Sequence, residues 1–142
     1  MSAYADTSFL VSLYVFDTNS ALAAGRMSRV ELPIVSTPFG ELEIANAISL
    51  RLFRRELNAT EAKAAYSLFQ KDVEGGVIQI KPIPNTVFEG ARQIARRRTP
   101  RLGTRTLDVL HVALALQFGA ETFYTFDARQ AKLAKAEGLA TV

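Results

Sequence analysis

Asp6, Glu43, Asp108 and Asp127 are the residues of this chain best suited to chemistry. They lie far apart in sequence, yet each falls where a strand closes or a helix opens. Asp6 ends the run Ala3-Tyr4-Ala5 and precedes Thr7-Ser8-Phe9-Leu10-Val11. Asp127 ends Thr122-Phe123-Tyr124-Thr125-Phe126 and precedes an alanine-rich helix. In an open parallel α/β sheet, ligands bind just beyond the carboxyl ends of the strands. Four carboxylates converging there repel one another unless a cation sits between them. The pattern therefore predicts a divalent metal site and phosphate chemistry.

Each acid also has a simpler structural role. Asp6 and Asp127 stand where helix N-caps belong. Glu43, in the first turn of a helix, favours its dipole, and Glu41 competes with it for any chemical role. Asp108 differs, because it enters a helix of mostly apolar residues (Leu107, Val109, Leu110), where an unpaired carboxylate is costly. His111, one turn further on, reads as a packed or hydrogen-bonded histidine rather than a ligand.

Composition narrows the options. The 142 residues suffice for one domain with a core, spanning 1–142, and are too few for two. With 49% hydrophobic and 22% charged residues, the chain is neither disordered nor fibrous. Its longest apolar run, Phe9 to Phe16, is far shorter than the roughly 18 residues of a membrane span. The start, Met1-Ser2-Ala3-Tyr4-Ala5-Asp6, lacks the basic region of a signal peptide, so a cytoplasmic protein with no membrane partner is expected. Zero cysteines exclude disulfides and thiol nucleophiles, and one histidine excludes His-rich zinc sites. Carboxylate ligation of a hard cation remains. The net charge of +3 is uneven: Arg92, Arg96, Arg97, Arg98, Arg101 and Arg105 crowd the approach to Asp108, and Arg51, Arg54 and Arg55 follow Glu43. A basic rim around an acidic centre suits a polyanion.

The elements that must position these groups alternate between short strands and helices. Strands are expected at Ala3–Ala5, Leu32–Val35, Val77–Ile80, Thr122–Thr125 and Ala140–Val142. Helices are expected from Ser8 to Tyr14, after Asp17-Thr18-Asn19-Ser20 to near Gly25, and from Pro38 to about Arg55. Another runs from a cap at Thr60 to Gly75-Gly76. Three more follow: from Asn85 to before Pro100, Leu107 to Phe118 capped by Thr106, and Asp127 to Gly138. Such alternation predicts a three-layer α/β/α fold around a central parallel sheet of about five short strands.

With these elements in order, the motifs Asp6-Thr7-Ser8-Phe9-Leu10, Glu43-Ile44-Ala45-Asn46-Ala47-Ile48, Asp108-Val109-Leu110-His111-Val112-Ala113 and Thr125-Phe126-Asp127 together resemble a PIN domain. The similarity spans the chain and is greatest to the VapC-type toxins of toxin–antitoxin pairs. It selects Glu43 over Glu41, because the family's helix acid is followed, after two residues, by Asn-Ala.

The resemblance implies a metal-dependent endoribonuclease holding Mg²⁺ or Mn²⁺ through Asp6, Asp108 and Asp127, with Glu43 bound directly or through water. Cleavage in this family leaves a 5′-phosphate and a 3′-hydroxyl. Thr7 and Thr125 stand where the family often has hydroxyls supporting the acids. Arg51, Arg54, Arg97 and Arg105 are the candidates for flanking RNA phosphates. A VapB-type antitoxin is the implied partner, with homodimers and larger toxin–antitoxin complexes usual. Leu13, Tyr14 and Phe16 could supply dimer surface, though burial in the core is the first expectation for them.

Other readings are an RNA-processing PIN nuclease without an antitoxin and a non-catalytic PIN-like RNA-binding module. A haloacid-dehalogenase-type phosphatase needs Asp-x-Asp-x-Thr after its first strand, and Asp6-Thr7-Ser8-Phe9-Leu10 lacks the second aspartate. The acceptor Asp and late Lys of a receiver domain have no counterpart to place.

Overall fold

A computed structural model describes residues 2–142. The strands are β1 (Ala3–Ala5), β2 (Ile34–Ser36), β3 (Ile78–Ile80), β4 (Thr122–Tyr124) and β5 (Ala140–Thr141). Every pairing is parallel, and the sheet order is β3-β2-β1-β4-β5. The chain thus builds outward from β1 through β2 to β3, then crosses back to place β4 on the other side of β1. That reversal leaves a crevice beyond the carboxyl ends of β1 and β4, the place where open α/β sheets bind ligands.

Around the sheet lie α1 (Thr7–Tyr14), α2 (Ser20–Met27), α3 (Pro38–Phe53), α4 (Ala59–Glu74), α5 (Val87–Leu102), α6 (Thr106–Gln117) and α7 (Ala128–Ala136). Strand side chains alternate between two cores, as the two-residue period of a strand requires. Ala3, Ala5, Ile34, Ile78 and Tyr124 join Phe9, Leu10, Ile44, Ile48 and Phe69 on the face covered by α1, α3 and α4. Tyr4, Val35 and Phe123 join Val87, Ile94, Val112, Leu114 and Leu133 on the face covered by α5, α6 and α7. The three layers and five parallel strands expected from the sequence are therefore present. Leu114, fully buried in the second core, tests that packing: Leu114→Ala is expected to cost about 3 kcal/mol by urea unfolding, from lost transfer energy plus a cavity.

Several boundaries differ from those expected. Helix α5 runs through Pro100 instead of stopping before it. The bias against helix before proline is outweighed by the packing of α5 along α6, and Pro100 in the final turns forfeits one backbone hydrogen bond. The stop is Gly103, whose φ of 63° few side chains tolerate and whose N–H reaches the Thr99 carbonyl at 2.8 Å. Thr60 does not cap α4. Asn58 does, in a reciprocal pair with Glu61, because Asn-x-x-Glu is the spacing that satisfies both backbone donors. Asn85 is likewise displaced by Thr86 as the residue preceding α5, and Arg105 rather than Thr106 precedes α6. Helix α2 passes Gly25 and ends at Met27. Among the described residues, no helix is long and apolar enough to cross a membrane.

Candidate active site

Asp6 follows β1 directly and caps α1, its Oδ1 accepting from the Phe9 N–H at 3.1 Å. Its side chain is buried and accepts on both oxygens. Ser8 donates to Oδ1 at 2.7 Å, and Thr125, just past β4, donates to Oδ2 at 2.5 Å. The Thr125 hydroxyl also accepts the Asp127 N–H at 3.0 Å, so one side chain ties the acid after β1 to the acid after β4. Burial pushes the Asp6 carboxyl above its ordinary pKa, although Thr125 and Ser8 favour the charged form. An acid so placed gains from a nearby cation.

Glu43 projects from α3 and is held from two sides. Thr7, next to Asp6, donates to Oε1 at 2.6 Å, and His111 Nε2 lies 2.5 Å from the same oxygen. Burial raises the Glu43 pKa, but the His111 and Thr7 hydrogen bonds outweigh it, and the carboxyl ends below its ordinary value. His111, buried on α6, completes a chain to the core through Nδ1, 2.7 Å from the Tyr4 hydroxyl. Burial, then the Asp6 and Glu43 charges, push the Tyr4 phenol well above its usual pKa, so it stays protonated.

Asp108 and Asp127 meet at Arg105. Asp108 reaches back to the Arg105 backbone N–H at 3.1 Å, as an acid in the first turn of a helix often does. The Arg105 guanidinium lies 3.6 Å from Asp108 Oδ2 and 3.9 Å from Asp127 Oδ2. Asp108 is thus partly buried, and the cation it faces in the chain itself is the Arg105 guanidinium. Asp127 divides its oxygens: Oδ1 accepts from the Arg129 and Gln130 N–H groups to cap α7, while Oδ2 faces Arg105. Capping therefore leaves Oδ2 available for another contact.

The four acids therefore share one edge of the sheet, linked in the order Glu43–Thr7, Asp6–Thr125–Asp127, Arg105–Asp108. Glu43 and Asp108 line a common cleft of about 480 Å³ with Arg105, Thr106 and Leu107. Among the described residues, no three acidic or histidine side chains are close enough to hold one ion as they stand. The donor set nonetheless fits a hard divalent cation by its chemistry: oxygen ligands, several negative charges and a guanidinium already drawn to two of them. Arg105 is 70% exposed, so little packing opposes its withdrawal from the two acids.

The remaining arginines are sorted by their partners. Arg51 pairs with Asp17 at 3.2 Å, and Arg97 and Arg98 both pair with Glu137, clamping α5 to the end of α7. Arg54 is exposed and makes no ion pair among the described residues. Leu13 and Tyr14 pack against the first core, whereas Phe16 is 92% exposed. The roles of Ser8 and Tyr4 were not singled out from the sequence. Ser8 was signalled by the hydroxyl pair after Asp6; Tyr4 carried no signal, because its partner lies more than a hundred residues away.

A family model for the PIN domain matches residues 3–136. Among curated proteins no sequence match is significant. Among solved structures, this fold is similar to the crystal structure of Mycobacterium tuberculosis VapC20, a sarcin-ricin loop cleaving toxin. That likeness has a TM-score of 0.73 at 20% identity over 99% of this chain and 98% of that one, and it concerns the fold. With the family match spanning nearly the whole chain, the chain belongs to the PIN-domain family.

Proposed function

We propose that residues 1–142 act as one PIN domain, a metal-dependent endoribonuclease that serves as the toxin of a toxin–antitoxin pair. The observation that carries this reading is the linkage of Asp6, Glu43, Asp108 and Asp127 at one sheet edge in a chain of the PIN family. The fold shared with a sarcin-ricin loop cleaving toxin supports RNA as the substrate. Asp6, Glu43, Asp108 and Asp127 would hold Mg²⁺ or Mn²⁺, with Thr7 and Thr125 orienting Glu43 and Asp6. Such an ion, when bound, acidifies water and neutralises charge on the phosphodiester.

The chain's own residues do the rest. Thr125 and Ser8 hold the Asp6 carboxylate against burial, and His111 and Thr7 keep Glu43 ionised. Arg105, exposed and paired with Asp108 and Asp127, would be released toward an RNA phosphate if those acids held an ion. Exposed Arg54 would reach flanking phosphates without breaking an ion pair, whereas Arg51 and Arg97 would do so only by releasing Asp17 and Glu137. An antitoxin of the VapB type and a second toxin copy are the proposed protein partners. Exposed Phe16 and Phe53 supply apolar surface suited to them. An RNA substrate and a co-expressed inhibitor place this work in the cytoplasm.

The test is direct. Purified chain incubated with cellular RNA and Mn²⁺ should create new 5′-phosphate ends, mapped by sequencing, and EDTA should remove them. Expression should arrest growth, and co-expression of an adjacent small gene should restore it. RNA left uncut with Mg²⁺ or Mn²⁺ present ends the nuclease reading. Cleavage with no growth effect favours RNA processing without an antitoxin.

A further inference from the structure

We propose that His111, held by Tyr4, is a positioning residue for Glu43, and that the Tyr4–His111–Glu43 chain sets how tightly the acidic site binds its divalent ion. The inference rests on the nuclease reading but assigns roles that the four-acid motif does not contain. Asp108 and His111 are three residues apart on α6, so one helix face presents an acid to the cleft and an imidazole to the acid of a different helix.

One tautomer, Nε2–H with an unprotonated Nδ1, satisfies both neighbours of the ring. An ionised Glu43 can only accept, so Nε2 carries the proton that it shares with Oε1 at 2.5 Å. The Tyr4 phenol, fully buried, needs an acceptor, and Nδ1 stands 2.7 Å away. A neutral imidazole meets both demands at once. Rings wedge it in that orientation: Phe39 lies 5.0 Å away between centroids, and Tyr4 packs edge-on at 5.8 Å. Imidazole and Thr7 both land on Oε1, leaving Oε2 as the oxygen free to face an ion. Glu43 is thus aimed by three elements: β1 through Tyr4, α6 through His111, and the start of α1 through Thr7.

Hydrogen-bonded partners of metal ligands typically account for about 10- to 100-fold in metal affinity. Tyr4→Phe deletes one oxygen, leaves the ring in place and frees the imidazole to change tautomer. His111→Leu deletes the donor to Glu43. His111→Gln restores an N–H of similar reach. Calorimetric titration of Mn²⁺ into the metal-free chains, with circular dichroism to confirm folding, reads affinity without reference to catalysis. Expected are about 10-fold weaker binding in Tyr4→Phe, weaker still in His111→Leu, and partial recovery in His111→Gln. In RNA cleavage, the Tyr4→Phe rate should recover as Mn²⁺ is raised, with KM for RNA unchanged. A purely packing role predicts lower melting temperatures with unaltered Mn²⁺ affinity. Wild-type affinity in folded Tyr4→Phe and His111→Leu overturns the inference alone. A wild-type chain that binds no Mn²⁺ overturns the nuclease reading, and this inference with it.

Discussion

Asp108→Asn is expected to lower single-turnover RNA cleavage on the order of 1,000-fold, equivalent to several kcal/mol of lost transition-state stabilisation. The substitution is nearly isosteric, and the amide oxygen can still accept the Arg105 backbone N–H that Asp108 accepts at 3.1 Å. The helix start is therefore preserved, and the melting temperature should stay within a few degrees of wild type. What disappears is a negative charge between Glu43, across the cleft, and Asp127, across Arg105. Asp6→Ala should abolish cleavage as well, but it removes the α1 cap and two hydroxyl contacts, so its loss is harder to assign. Full Mn²⁺-dependent cleavage by Asp108→Asn would remove that acid from the chemistry.

The parts of this molecule legible in sequence are those fixed by local pattern. Ala3-Tyr4-Ala5 and Thr122-Phe123-Tyr124 are too short and apolar for helices, and each is followed by a residue able to cap one; the structure makes them neighbouring central strands. The pairing order was not legible, because nothing in Ala3–Ala5 says that β4 rather than β5 lies beside it. Boundaries failed where tertiary packing beat local bias, as at Pro100, or where two caps competed, as at Asn58 and Thr60. At the site, the acids announced themselves by type and by their places at element ends. Of their wiring, the resemblance supplied Thr7 and Thr125 as supporting hydroxyls, but not His111 to Glu43, a contact between distant segments. Arg51 and Arg97 looked like free cations for RNA, and only the fold reveals the Asp17 and Glu137 carboxylates that engage them.

Asp6→Asn is expected to stabilise the metal-free protein at neutral pH while removing its activity. Burial holds the Asp6 pKa above its unfolded value near ~4, so it is the protonated acid that favours the fold. That contribution is complete below the unfolded pKa and is lost as pH rises through the higher folded value. At pH 7 without metal, the wild-type chain therefore holds a buried acid whose ionisation burial opposes, contacted by Ser8, Thr125 and the Phe9 N–H but by no bound cation. Asparagine is as good an N-cap, keeps an oxygen for Phe9 and Ser8, and can turn its amide toward Thr125. In EDTA at pH 7 the variant should melt higher, by about 4 °C for each kcal/mol gained, and the gap should narrow as pH falls toward ~4. Metal inverts the order. At Mn²⁺ concentrations about 100 times the dissociation constant, the wild type gains about 2.7 kcal/mol, a gain the variant should largely forgo. Melting curves of both proteins in EDTA and in Mn²⁺ decide the matter: a variant less stable than wild type in EDTA would mean that Asp6 is kept for its hydrogen bonds, and that its charge imposes no strain for an ion to relieve.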